Sequence, residues 1–126
     1  MDDVKKKILL VEDEDFIRDL YKRQIELGGF SVDAAAKGGE GLTFLKNNPY
    51  DLVLLDIMLP EVNGLDILRE AKKDEKTKNI PVVLLTNLGQ DSVKQEAMAL
   101  GAKEYIIKAT YTPDQLVKKI REILAL

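Results

Sequence analysis

The sequence predicts a doubly wound α/β sandwich folded as one domain. Three observations carry that prediction. The 126 residues contain short runs that are apolar without alternation, the stretches between them are amphipathic with a helical period, and the two kinds of segment alternate along the chain. Runs apolar on both faces belong to parallel strands covered by helices on each side. Crossovers between parallel strands are right-handed, so the helices divide between the two faces of the sheet.

The first strand is Ile8-Leu9-Leu10-Val11, ending at Glu12-Asp13. Phe16, Ile17, Leu20, Tyr21 and Ile25 then share one face of a helix that stops near Gly28-Gly29. Phe30 to Ala35 is a weaker run and is placed nearer a sheet edge. Gly41-Leu42 and Leu45 make a short second helix, ended by Asn47-Asn48-Pro49. Leu52-Val53-Leu54-Leu55 is the third strand and ends in Asp56. Leu65, Leu68 and Ala71 mark the third helix, opened by Asn63-Gly64. Val82-Val83-Leu84-Leu85 ends in Thr86, and Val93, Ala97 and Leu100 follow as a helix closed by Gly101. Tyr105-Ile106-Ile107 ends in Lys108. Leu116, Val117, Ile120, Ile123 and Leu124 form the last helix, with Thr112 as N-cap and Pro113 as first helical residue. Lys5-Lys6-Lys7, Asp74 to Lys78, and Lys118-Lys119 with Arg121 read as solvated surface.

Composition removes whole classes of function. Hydrophobic residues are 45% and charged residues 33%, a globular balance, and 19 Lys plus Arg against 22 Asp plus Glu give a net charge of −3. That charge argues against direct nucleic-acid binding. The chain has no Cys and no His. Disulfides, thiolate nucleophiles, imidazole bases and the usual zinc sites are therefore excluded. No apolar run approaches the roughly 18 residues of a membrane span. The start, Met1-Asp2-Asp3 followed by Lys5-Lys6-Lys7, does not read as a signal peptide. A cytoplasmic protein with no membrane partner is expected.

The residues that follow the strands carry the chemistry. In doubly wound folds ligands sit at the carboxyl ends of the strands. Those ends deliver Glu12, Asp13, Asp56, Thr86 and Lys108 to one edge. Three carboxylates brought together repel one another and call for a cation. Oxygen ligands alone select a hard ion, Mg²⁺ or Mn²⁺. A metal, an ammonium and a hydroxyl around a carboxylate suit a phosphoryl group. Asp56 is the candidate nucleophile, since it ends the middle strand and an aspartyl phosphate is an available covalent intermediate. Taken singly, each residue has a plainer role. Asp56 could cap a helix, Thr86 could cap a strand end, Lys108 could be a surface lysine and Tyr105 could pack in the core.

Four segments together resemble the receiver domain of bacterial two-component response regulators, and are similar to the single-domain chemotaxis-type regulators. They are Ile8 to Glu14, Asp51 to Pro60 with Gly64, Pro81 to Thr86, and Gly101-Ala102 through Tyr105 to Lys108. The resemblance runs from about Lys6 to Ala125. It implies a flavodoxin-like (βα)5 sandwich with a five-stranded parallel sheet in the order 2-1-3-4-5. It implies that Asp56 accepts a phosphoryl group from a histidine kinase phosphohistidine or a small phosphodonor. Glu12 and Asp13 would hold Mg²⁺, Asp13 directly and Glu12 partly through water, with Asp56 and the Met58 carbonyl completing the set. Lys108 would pair with the phosphoryl oxygens. Thr86 would be the switch hydroxyl and Tyr105 the switch aromatic. The surface of the fourth helix, fifth strand and fifth helix would change. Partners would be a sensor histidine kinase or phosphotransfer protein and an unidentified output protein. The site would promote its own phosphorylation and dephosphorylation without being a turnover enzyme.

Departures from the family pattern add expectations. Ala109 follows Lys108 where the family usually has Pro in a cis peptide. A cis bond before Ala costs about 2.5–4 kcal/mol, so a trans bond is expected. Asn87 is larger than the small residue common there, and Met58 and Leu88 flank the site with apolar side chains, so slow loss of the phosphoryl group is expected. Residues 1–126 read as a single receiver domain without an output domain, either a natural single-domain regulator or an excised piece. The acidic pair before Tyr105 and the basic helix pattern of the winged-helix-linked subfamily are missing, so a monomer or weak dimer is expected. A phosphorelay intermediate and a constitutive interaction module remain alternatives. A hydrolase or nucleotide binder is disfavoured, because position 58 is Met where haloacid dehalogenase-type phosphatases carry a second Asp, and there is no Walker-type loop.

Overall fold

The computed structural model describes residues 5–126, and the acidic start Met1-Asp2-Asp3 lies outside them. The element order is β1 (Lys7–Val11), α1 (Asp15–Leu27), β2 (Ser31–Ala35), α2 (Gly38–Asn47), β3 (Leu52–Leu55), α3 (Gly64–Lys73), β4 (Val82–Thr86), α4 (Asp91–Ala99), β5 (Glu104–Ile107), a 3-10 turn (Lys108–Thr110) and α5 (Pro113–Ile123). The five strands are parallel and lie in the order β2-β1-β3-β4-β5. This is the flavodoxin-like order that the resemblance implies, with strand order reversing beside β1.

Alternation along the strands sorts the core into two layers. Ile8, Leu10, Leu52, Leu54, Val83, Leu85 and Ile106 face α1 and α5, meeting Tyr21, Ile25, Leu116 and Ile120. Leu9, Val11, Val53, Leu55, Val82 and Leu84 face α2, α3 and α4, meeting Leu45, Ile67, Leu68 and Ala97. Because both faces are covered, the inner strands have no polar side, which is why their sequence shows no alternation. The weaker run ending at Ala35 is an edge strand, as expected. It carries Ser31 and Asp33, which protect an open edge.

Caps and turns fall where the sequence places them. Thr112 accepts from the Gln115 amide and Gln115 answers with its side chain, a capping box ahead of Pro113. Asn63 accepts from the Asp66 amide and opens α3. Gly29 and Gly101 take φ values of 99° and 102°, which side chains rarely adopt. No described peptide bond is cis, so Lys108–Ala109 is trans as expected.

The structure corrects the reading in four places. α2 begins at Gly38, earlier than its apolar residues suggest, because Gly38 packs directly on the Val62 backbone and a side chain there would collide. Lys7 belongs to β1 and pairs with Asp33, so it is not simply solvated. Thr77, inside the charged segment, is buried and donates to the Ala71 carbonyl. Arg121 donates to the Gly28 carbonyl and lies 5.4 Å over the Phe30 ring, joining α5 to the end of α1. Among the described residues no helix is long and apolar enough to cross a membrane.

Candidate functional site

Parallel pairing of β1, β3, β4 and β5 brings the residues after their last turns to one edge. Glu12 follows β1, Asp56 follows β3, Thr86 ends β4 and Lys108 follows β5. Backbone bonds hold this edge in register. The Glu12 amide donates to the Ala35 carbonyl at 3.0 Å and the Asp56 amide to the Val11 carbonyl at 3.1 Å. Gly64 stands where a Cβ would collide with the Asp56 carbonyl, so the β3–α3 loop can fold tightly over Asp56.

Lys108 organises the site. Its ammonium donates to Asp56 Oδ2 at 2.6 Å and lies 2.5 Å from Glu12 Oε1. The Lys108, Glu12 and Asp56 side chains are only 6%, 2% and 7% exposed, so the pairs are shielded from water. Asp56 Oδ1 accepts from the Met58 amide at 3.2 Å. Glu12 Oε2 accepts from the Glu14 amide at 3.0 Å. Asp13 is exposed beside them, and Glu12, Asp13 and Asp56 each offer an oxygen within 4.8 Å of the others.

The charges do not balance, since three carboxylates face one ammonium. Burial pulls the Lys108 ammonium down, but its bonds to Asp56 and Glu12 outweigh burial and hold it above the ordinary lysine value. Burial pushes the Glu12 carboxyl up, against the pull of Lys108 and the Glu14 amide. Lys108 is thus the counterion that opposes the cost of burying the Glu12 carboxylate. The remaining negative charge and the oxygen-only donor set fit a hard divalent cation, held by Glu12, Asp13 and Asp56.

A cleft of about 250 Å³ opens over these groups, lined by Asp13, Glu14, Asp56, Met58, Thr86, Asn87, Leu88 and Lys108. Met58 is 64% exposed on its rim. The Thr86 hydroxyl is buried and accepts from the Leu88 amide at 3.3 Å. Tyr105 is half-buried and donates its hydroxyl to the Leu88 carbonyl at 2.5 Å, so Thr86 and Tyr105 hold the same loop. A hollow of about 340 Å³ at the other end of the sheet is lined by Tyr50, Thr77 and Ile80 among others, with only Lys46 and Lys76 as charged groups. It has no comparable chemistry.

The structure therefore brings together Glu12, Asp13, Asp56, Thr86 and Lys108, with Met58 and Tyr105 at the border. Sequence reasoning missed two contributors. Glu14 lends its amide to Glu12 and lines the cleft. Arg18 donates to the Glu12 carbonyl at 3.0 Å. Their only sequence signal is proximity to the acidic pair, and an arginine one turn into a helix usually faces water.

Comparison with known proteins agrees with this geometry. The family model for the response regulator receiver domain matches residues 8–121. The chain is similar to the phosphate regulon transcriptional regulatory protein PhoB of Rhizobium meliloti (strain 1021), with 34% identity over 118 residues, 94% of this chain and 52% of that protein. It is similar to the DNA-binding dual master transcriptional regulator RpaA of Synechocystis, with 33% identity over 94% of this chain and 48% of that protein. The chain thus spans about half the length of the curated relatives it matches. Among solved structures it is similar to a CheY-like receiver domain protein from Methanospirillum hungatei JF-1, with a TM-score of 0.90, 33% identity, and coverage of 97% and 95% of the two chains.

Proposed function

The chain belongs to the response regulator receiver family of two-component systems, and from that premise we propose that it is a phosphorylation switch with Asp56 as acceptor. One observation carries the reading. Asp56 presents a carboxylate, held at 2.6 Å by Lys108, to an open cleft that it shares with Asp13 and Thr86.

Asp56 attacks the phosphorus of a phosphohistidine or of a small acyl phosphate. The P–O bond to Asp56 forms as the bond to the departing nitrogen or oxygen breaks, and the leaving group takes the electron pair. The Met58 amide holds Oδ1 and fixes the carboxylate plane for that attack. The Lys108 ammonium, already beside Oδ2, passes to the incoming phosphoryl oxygens. Glu12, Asp13, Asp56 and the Met58 carbonyl would hold Mg²⁺ or Mn²⁺. When bound, that ion neutralises the phosphoryl oxygens against the acidic cluster. The Thr86 hydroxyl offers a donor to the third oxygen.

Output follows from the loop that Thr86 and Tyr105 share. A Thr86 that turns to the phosphoryl group drops its bond to the Leu88 amide, and the Leu88 carbonyl no longer anchors Tyr105. The α4, β5, α5 surface then takes a second arrangement that an output protein can distinguish. The donor is a sensor histidine kinase or phosphotransfer protein. Met58 and Leu88 flank the cleft with apolar side chains that hinder an attacking water, so the phosphoryl group is lost slowly. A half-life of seconds in purified protein would overturn that point. The site serves its own phosphorylation and dephosphorylation and turns over no other substrate.

Intact-mass spectrometry after incubation with acetyl phosphate tests the reading, with and without Mg²⁺ and beside Asp56→Asn. The expected result is one phosphoryl adduct that requires both Mg²⁺ and Asp56. An adduct of equal yield on Asp56→Asn, or none on folded wild-type protein, would sink it.

A further inference from the structure

We propose that Arg18 is a positioning residue for the acidic pair, holding the turn after β1 in the shape that lets Glu12 and Asp13 share one divalent cation; this rests on the reading given above. Arg18 Nη1 donates to the Glu12 carbonyl at 3.0 Å, and Nη2 reaches Asp15 Oδ1 at 2.6 Å. Its side chain is 18% exposed while that of Asp15 is 87% exposed. An ion pair with so exposed a carboxylate contributes little by itself. The bond to the Glu12 carbonyl is the specific one, and Asp15 steadies the other arm of the guanidinium fork.

The turn is tied on both sides of Asp13. The Glu12 carboxylate is held by Lys108 and the Glu14 amide. The Arg18 amide donates to the Glu14 carbonyl at 2.8 Å. Among the described residues, Asp13 itself has no hydrogen bond or ion pair to fix its exposed side chain. Its carboxylate is placed by backbone alone. The peptide between Glu12 and Asp13 is planar, so fixing the Glu12 carbonyl fixes the direction in which the chain enters Asp13. Arg18 therefore orients a cation ligand that it never touches.

Charge alone predicts the opposite sign, because a guanidinium near the cluster repels a divalent cation. That opposition makes the test sharp. Calorimetric Mg²⁺ titration, without phosphodonor, compares wild type, Arg18→Lys and Arg18→Gln, each shown to be folded by circular dichroism. Lysine keeps the charge but cannot serve two acceptors in one plane. If Arg18 positions the pair, both variants bind Mg²⁺ roughly tenfold more weakly, as when the support behind a metal ligand is removed. The Mg²⁺ concentration for half-maximal phosphorylation by acetyl phosphate rises by the same factor. The rate at saturating Mg²⁺ is unchanged, a split that general loss of stability would not give. Arg18→Lys binding like wild type, or Arg18→Gln binding as tightly or more tightly, overturns the inference while leaving the site reading intact. Wild-type protein that binds no Mg²⁺ overturns both.

Discussion

β1 carries a charged cluster at each end, and the two are resolved differently. At the amino end, Lys7 Nζ pairs with Asp33 at 3.2 Å and lies 5.4 Å over the Tyr50 ring. The Lys7 amide donates to Asp51 and the Tyr50 hydroxyl donates to Asp33 at 2.7 Å. At the carboxyl end, Lys108 bridges Glu12 and Asp56, with Asp13 beside them. Each cluster sets one lysine among acids. The Lys7 and Asp33 side chains are 34% and 33% exposed, so water screens them and their donors are met locally. Lys108, Glu12 and Asp56 are shielded from water, and with the exposed Asp13 they set three carboxylates against one ammonium, where the amino end sets two. A charged cluster becomes a site when it is both buried and unbalanced, because only then does it gain from a further ligand.

The largest expected effect breaks the buried cluster. Lys108→Ala leaves Glu12 and Asp56 without their counterion and should cost about 3 kcal/mol in metal-free protein. Lys7→Ala, at the screened end, should cost about 1 kcal/mol or less. Urea unfolding of both variants measures the contrast, and equal losses would remove it. The Lys108→Ala deficit should shrink as pH falls through the raised range of Glu12, because the buried carboxyl takes up a proton that the unfolded chain does not yet hold.

The next effect lies at the amino end. Burial and the bond to Asp33 push the Tyr50 hydroxyl far above the ordinary tyrosine value. The folded protein keeps a proton that the unfolded chain gives up, so stability falls as pH rises above about 10. Tyr21 and Tyr105, both raised first by burial, act in the same direction. Tyr50→Phe should cost about 1 kcal/mol at neutral pH through the lost bond. It should also make the alkaline decline shallower. A variant that declines as steeply as wild type would show that Tyr50 does not hold its proton.

What the sequence could show follows the same division. The carboxyl-end cluster was legible because each member directly follows an apolar run, so the strands themselves announce Glu12, Asp56, Thr86 and Lys108. The amino-end cluster was not. Lys7, Asp33 and Tyr50 belong to β1, to β2 and to the approach to β3, and they meet only once strand order and register are known. Arg18 was hidden for a related reason. Its partner is a backbone carbonyl, and no side-chain pattern signals where a carbonyl points. The alternation of strands and helices was legible down to the Thr112 cap. Helix α2 was less so, because Gly38 begins it through backbone contact with Val62 and not through an apolar side chain.

The smallest effect has the most telling sign. Asp13 adds a third negative charge beside Glu12 and Asp56 and forms no ion pair among the described residues. Asp13→Asn should therefore raise metal-free stability, by about 0.5 kcal/mol for an exposed position. Saturating Mg²⁺ should reverse the order, since a ligand stabilises the folded state in proportion to the logarithm of its concentration over Kd, and the variant binds it more weakly. Thermal unfolding of both proteins with and without Mg²⁺ reads the crossing directly. If Asp13→Asn stays ahead at every Mg²⁺ concentration, Asp13 is not a cation ligand. If it is behind even without Mg²⁺, the surplus charge costs the fold nothing, and the two ends of β1 differ in burial alone.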